Sequence, residues 1–208
     1  MTGTRRILPL GEAGLLVELD DLDAVLALYE ALDASRPAGV VDLVPAARTI
    51  GMTVDPAVLP LSVATGWLTQ TDPVESATAA ARRTVEIPVR YDGEDLAEVA
   101  ALLGMPSAEV VALHTSSAWR VAFCGFAPGF AYLVTDHDRL TVPRRATPRT
   151  VVPAGSVGLA AEFSGIYPRS SPGGWQLIGS TDARLWDPAA EPPALLAPGT
   201  TVRFVEVS

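Results

Sequence analysis

The chain has 208 residues, 49% of them apolar, and its 24 acidic side chains outnumber its 15 basic ones for a net charge of −9. At that length folding buries roughly 70% of the unfolded surface, so a sizeable core is expected and intrinsic disorder is excluded. Every cationic side chain is arginine, with no lysine or asparagine, which excludes a Walker-type phosphate loop, Schiff-base chemistry and N-glycosylation.

In chain order, Ile7 to Leu10 and Leu15 to Leu19 read as short strands. A helix follows Asp21, because Val25, Leu28, Tyr29 and Leu32 recur at i, i+3, i+4 and i+7 and so share one face. Pro37 and Gly39 end it. Val40 to Val44 and Thr49 to Val54 are expected as strands, and the alanine-rich stretch from Pro56 to Ala81 as one or two helices. Character changes at Thr84: Val85 to Val89 alternates as a strand does, and a helix is expected from Asp95 to Leu103. Another runs from Ser107, its expected cap, to His114. From Gly125 to Gly174 there are 7 glycines and 6 prolines. Short apolar runs punctuated this way predict many short strands with tight turns, hence a barrel or sandwich. The reading is an α+β N-terminal domain over 1–83 and a mainly-β domain over 84–208. Charge is split in the same sense, with 17 acids against 7 arginines in residues 1–118 and 7 against 8 in residues 119–208.

No apolar run approaches the roughly 18 residues of a membrane helix, and the N-terminus, Met1 to Arg6 followed by a stretch broken at Pro9, does not read as a secretory signal. A cytoplasmic location is expected. One cysteine, Cys124, and two histidines, His114 and His137, leave no basis for a disulfide or a structural zinc site. The acidic balance argues against nucleic acid or an anionic membrane as partner.

Few residues carry chemistry. As a bare residue, His114 shares a face with Val110 and Val111 and reads as a core histidine, while His137 sits in a polar turn. Cys124 reads as a small buried hydrophobe. The string Gly125-Phe126-Ala127-Pro128-Gly129-Phe130-Ala131-Tyr132-Leu133 reads either as an aromatic wall against which a ligand packs or as a well-packed strand and turn. Arg144, Arg145 and Arg149 lie on a loop stiffened by Pro143 and Pro148, suited to bidentate capture of a carboxylate or phosphate, or to pairing with acidic residues. Gly155 and Ser156 lie in a glycine-rich turn that reads as an anion nest or as an ordinary barrel turn.

Taken together, His114, Arg120 to Leu133, Thr147-Pro148-Arg149, Val152 to Gly158, Gly165-Ile166-Tyr167-Pro168, Ser171 to Trp175 and Ile178-Gly179 resemble the family of the B subunit of 5-oxoprolinase. That family is also labelled allophanate hydrolase subunit 1 and includes the Kip inhibitor of a sporulation histidine kinase. The resemblance covers most of the chain and implies a cyclophilin-like β-barrel as the C-terminal domain. It also implies one component of an ATP-dependent enzyme that opens the lactam of 5-oxo-L-proline to L-glutamate, with Mg-dependent ATP in the assembled complex and no biotin. The implied partners are the C subunit of 5-oxoprolinase, or allophanate hydrolase subunit 2, and the A subunit of 5-oxoprolinase. On that footing His114, Arg120 and Arg149 are the expected catalytic residues. Phe126, Pro128, Phe130, Arg144, Gly155, Ser156, Tyr167, Ser171, Gly173 and Trp175 are the expected substrate-binding set. Two alternatives are a regulatory module that inhibits a histidine kinase and an amide hydrolase component that works on allophanate or urea. The chain departs from the family pattern at Ser180-Thr181-Asp182, where arginine, threonine and proline are usual, at Ala131 for proline and at Trp119 for tyrosine.

Overall fold

A computed structural model describes residues 5–74 and 83–208. The chain divides into two compact units, Met1–Ala80 and Ala81–Ser208.

The first unit is an antiparallel sheet with two helices. Its strands β1 (Arg6–Pro9), β2 (Gly14–Glu18), β3 (Val40–Pro45) and β4 (Thr49–Val54) lie in the order β1-β2-β4-β3. Helix α1 (Leu22–Ala34) starts where Asp21, in extended backbone, accepts the Ala24 N–H at 2.8 Å, satisfying one of the free donors of a helix start. Its Val25, Leu28 and Leu32 are buried against Val17, Ile50, Met52 and Val54 of the sheet, with Tyr29 half-buried beside them. Helix α2 (Leu61–Gln70) adds Ala64 and Leu68 to that core. The helical stretch expected to reach Ala81 thus holds one helix within 56–74, and residues 75–81 lie outside the described residues.

The second unit is built on a seven-stranded sheet. It comprises β5 (Thr84–Val89), β6 (Trp119–Cys124), β7 (Ala131–Val134), β9 (Ser156–Ala160), β10 (Phe163–Ile166), β12 (Gln176–Ser180) and β13 (Thr201–Glu206), in the order β12-β9-β10-β7-β6-β13-β5. All neighbours are antiparallel except β13 and β5, which run parallel. The two edge strands meet through Arg90 and Ser180, whose backbones exchange hydrogen bonds of 2.9 and 2.7 Å. This makes a nearly closed mixed barrel. The Arg90 guanidinium also holds both oxygens of Asp182 at 2.8 and 3.2 Å, so one departure from the family pattern supplies a side-chain clasp to the seam. Gly179 permits the approach, since a Cβ there would overlap the Arg90 carbonyl oxygen. A separate pair, β8 (Arg149–Val152) and β11 (Ser171–Gly173), stands apart from the barrel sheet.

Helices α3 (Leu96–Leu103) and α4 (Ser107–Ser116) pack against each other, α3 on β12 and α4 on β13. Their Val99, Ala100 and Val110 join Val85, Ile87, Val121, Leu133, Val157, Leu159, Ile166, Ile178 and Phe204 in one core. Ser107, expected as a cap, is instead the first residue of α4. Pro106 occupies the cap position and no side chain closes that end, as suits a helix whose Val110 and His114 are held by packing. Among the described residues no single helix is long and apolar enough to cross a membrane.

Gly179→Ala is expected to destabilise the second unit by about 1–3 kcal/mol, because the seam would have to open to admit the methyl group. Urea denaturation followed by tryptophan fluorescence measures this.

Candidate functional site

Strand geometry decides which side chains meet. Successive side chains of a strand point to opposite faces, so on β10 Ser164 and Ile166 face the barrel interior while Phe163 and Gly165 face outward. On β7, Ala131 and Leu133 belong to the interior and Tyr132 lies outside. β6 pairs Val121 with Leu133 but Phe123 with Tyr132, so Ala122 is an extra residue in the ladder. This bulge turns Phe123 outward, where it stacks on Tyr132 at 4.4 Å between ring centres.

Outside the barrel, Phe123, Phe126, Phe130, Tyr132, Phe163, Tyr167 and Trp175 form a continuous aromatic cluster. Phe130 is its hub, with centres 5.1–5.4 Å from Phe126, Tyr132, Tyr167 and Trp175 at interplanar angles of 63–89°. These are edge-to-face contacts, which align the positive ring edge with the negative face. Gly165 sits beneath: a Cβ there would lie 2.9 Å from Trp175 Cζ3 and 3.1 Å from Phe130 Cζ. Phe130, Tyr167 and Trp175, expected to wall a pocket, are therefore buried within a packed cluster. Phe126 differs. It is 57% exposed and holds φ at +66°, a left-handed conformation that costs a non-glycine residue about 1–2 kcal/mol. The turn that imposes it is closed by hydrogen bonds from Ala127 N to Gly125 O and from Phe130 N to Ala127 O, at 2.7 and 2.9 Å, with Pro128 exposed at its tip. Backbone strain of this kind concentrates at functional sites.

Arg144 lies beside this cluster. It is exposed, its Nε is 3.9 Å from where a Cβ on Gly174 would be, and its charge reaches both phenols. Burial pushes the Tyr132 and Tyr167 hydroxyls up, and Arg144 partly opposes that rise in each. No carboxylate pairs with Arg144 among the described residues. The structure thus brings Phe126, Pro128, Phe130, Tyr167, Trp175, Gly173 and Arg144 into one neighbourhood, with Gly173 packed on the Tyr167 hydroxyl.

It does not bring His114 there. His114 is 0% exposed in the interior, stacked on Phe204 at 4.2 Å, while the aromatic cluster lies on the other side of β10. Its Nδ1 is 2.7 Å from the Tyr91 hydroxyl and its Nε2 2.9 Å from Ser164 Oγ. Both contacts are satisfied when the phenol, kept protonated by burial, donates to Nδ1 and Nε2–H donates to the serine. Burial pushes the His114 pKa down to about 3. The ring is neutral and sealed, and His114, expected to be catalytic, lies in the core.

The arginines divide as well. Arg149, expected to be catalytic, has Nη2 2.7 Å from Asp95 Oδ1 and 3.1 Å from Glu94 Oε2. Arg149 is thus ion-paired with two acids, one of the two readings left open for this cluster. Arg120 lies opposite Val134 and Thr201, at the end of the β6–β7 hairpin away from Phe126. Gly155 and Ser156 do not form the expected nest, because their N–H groups already donate to Tyr167 O and Pro153 O at 2.8 and 3.4 Å. Ser171 is buried, with its hydroxyl on Arg169 O at 3.5 Å. Cys124 donates its thiol to Leu196 O at 3.5 Å, and burial pushes its pKa up to about 11, so it is no nucleophile at neutral pH. A groove of about 690 Å³ on the first unit, lined by Ser35, Val63, Gly66, Trp67, Gln70 and Thr71, carries no acid, base or thiol.

Sequence reasoning missed Asp95, which was read only as the start of a helix. The family described as the carboxyltransferase domain, subdomain C and D, matches residues 5–196. The chain belongs to this family. Among relatives of this carboxyltransferase C and D chain, the B subunit of 5-oxoprolinase from Escherichia coli O157:H7 is 53% identical over 126 residues, 59% of this chain and 58% of that one. The protein of the same name from Bacillus subtilis (strain 168) is 48% identical over 130 residues, 61% of this chain and 54% of its own. The chain therefore spans little more than half the length of these relatives. The crystal structure of TTHA0988 superimposes with a TM-score of 0.76 at 40% identity, over 94% of this chain and 40% of that one. The Kluyveromyces lactis urea amidolyase covers 99% of this chain and 15% of its own at a TM-score of 0.78 and 17% identity, a likeness of fold alone.

Two outcomes follow from these placements. Because the folded state rejects a proton at His114 that the unfolded chain accepts below about pH 6.5, its contribution is complete above that pH and is lost as pH falls toward 3, at about 1.4 kcal/mol per unit. Urea midpoints at pH 7 and 5 are expected to differ by about 2 kcal/mol of stability for this reason, and less in His114→Gln. Arg149→Ala, which strips one guanidinium from a buried carboxylate, is expected to cost about 2–3 kcal/mol in the same measurement.

Proposed function

We propose that the chain is one component of an assembly that opens the lactam ring of 5-oxo-L-proline to L-glutamate. The observation that carries this reading is an exposed, strained Phe126 beside an Arg144 with no carboxylate partner among the described residues, in a chain 53% identical over 126 residues to the B subunit of a 5-oxoprolinase. The proposed ligand matches that surface in two ways. Its carboxylate is an acceptor for the planar guanidinium fork, and its compact ring is of a size to pack on the exposed Phe126.

A lactam is an amide, stable to water until its oxygen is activated, and we propose Mg-dependent ATP in the assembled complex as the activating group. The described residues of this chain do not fit the nucleotide well. The Gly155–Ser156 turn has spent its backbone donors, Arg145 and Arg149 are committed to Asp95, and the chain has no lysine to hold the phosphates. We therefore assign ATP and its metal to the partners, the A and C subunits of 5-oxoprolinase, the latter also labelled allophanate hydrolase subunit 2. This chain's part is to bind and orient the lactam. We also propose that the nearly closed barrel is cyclophilin-like and that the assembly is cytoplasmic.

Co-expression with the two partners, followed by ADP release, tests this. Release dependent on 5-oxoproline is expected, and Arg144→Ala should raise the KM for 5-oxoproline tenfold or more, as loss of a charged hydrogen bond worth about 1.5–3 kcal/mol requires. Release that depends on urea derivatives, or on no small amide with tight binding to a histidine kinase instead, would sink the assignment.

A further inference from the structure

The carboxylate of Asp95 is 3% exposed and stands at the cap position of α3, yet it caps nothing there. Its bonds all go to distant chain. Oδ1 accepts from Arg145 Nη1 at 2.6 Å and from Arg149 Nη2 at 2.7 Å, and Oδ2 accepts from the Leu177 N–H at 2.6 Å. These partners lie 50, 54 and 82 residues away in sequence. An aspartate at a helix start ordinarily serves the first turn of its own helix; this one has been diverted to tie a loop to a strand.

The loop it ties is the one that carries Arg144. Arg145 and Arg149 bracket Ala146, Thr147 and Pro148, all exposed, and both anchors converge on one oxygen. The Arg145 N–H adds a bond to Gly174 O at 2.8 Å, and Arg149 pairs with Gly173 across β8 and β11. Arg144, immediately before these anchors, is thereby held over the Gly173–Gly174 turn that abuts Tyr167. Charge follows the same division. Asp95 together with Glu94 and Glu98 faces Arg145 and Arg149, which leaves Arg144 as the guanidinium of this loop without a carboxylate among the described residues. Burial alone would raise the Asp95 pKa, but the hydrogen bonds from Arg149 and the Leu177 N–H and the charges of Arg149 and Arg145 hold it below the usual carboxylate range. The group is an anion wherever the protein works.

We propose that Asp95 is a positioning residue for the anion-binding surface: by clamping Arg145 and Arg149 it aims Arg144 at the carboxylate of the ligand and keeps it free of competing acids. This rests on the reading of Arg144 given above. An asparagine at 95 keeps the size but has one oxygen and no charge: turned toward the arginines it sets its amide N–H groups against the Leu177 N–H, turned toward Leu177 it sets them against both guanidiniums, and either way the clamp loosens and the loop is free to swing.

The test is a mutant cycle in the assembled complex with 5-oxoproline as the probe. Arg144→Ala, Asp95→Asn and the double variant are compared for KM and kcat. Asp95→Asn is expected to raise KM about fivefold or more with kcat within about twofold, and the double variant to match Arg144→Ala alone, because residues acting through one contact are not additive. Additive effects, or an Asp95→Asn loss confined to kcat, would show a general structural role and overturn the inference while leaving Arg144 in place. An unchanged KM in Arg144→Ala would overturn the binding reading itself and this inference with it. If Asp95→Asn does not fold, Arg145→Gln, which removes one tether and leaves Arg149 on the carboxylate, enters the same cycle with the same expected and overturning outcomes.

Discussion

Strand alternation is the constraint on which this structure turns. In the second unit both faces of one curved sheet are buried, the inner by aliphatic side chains and two helices, the outer by rings. A residue's parity along its strand therefore decides whether it can meet a ligand. Ser164 and Gly165 are adjacent in sequence, yet one touches a sealed imidazole and the other a tryptophan that belongs to the outer cluster. His114, for all its chemical versatility, stays on the inner side of that partition and is confined to holding α4 against β13 and β10.

On the outer side, arginine does two different jobs in six residues. Its planar, multi-donor head suits it to share a single buried oxygen with a second arginine, as at Asp95, in a way the compact ammonium of lysine does not reproduce. The same head at Arg144 is exposed and has no acid paired with it among the described residues. A carboxylate-paired guanidinium and an exposed one are thus separated by one peptide bond.

Much of the fold was legible in the sequence because it rests on local rules. The face of Val25, Leu28 and Leu32 announced α1, and the glycine and proline spacing between 125 and 174 announced short strands. The aromatic string around Phe126 was legible as a structural unit, though not the depth to which Phe130, Tyr167 and Trp175 would sink. What was hidden is what depends on distant pairing. Pairing of the arginine loop with acids is one reading of its sequence, but nothing near Arg149 singles out Asp95, 54 residues upstream, as the partner. Nor does anything near Ala122 indicate the bulge that sends Phe123 outward, since a bulge is set by the register of the partner strand. Asp182 read only as a departure from the family pattern; in the fold it pairs with Arg90 beside the barrel seam.

Strand β13 has a consequence of a different kind. It is inserted between β6 and β5 and is the last strand of its unit, while β5 is the first. Synthesis from the N-terminus releases β5 long before the neighbour that must hold it in parallel register, and a strand awaiting its partner presents unpaired backbone edges. Such topologies concentrate their pairing in contacts far apart along the chain, which slows folding. The nascent barrel is thus an open gutter until β13 clears the ribosome, and in that interval β5 and β6 both lack the neighbour that will lie between them.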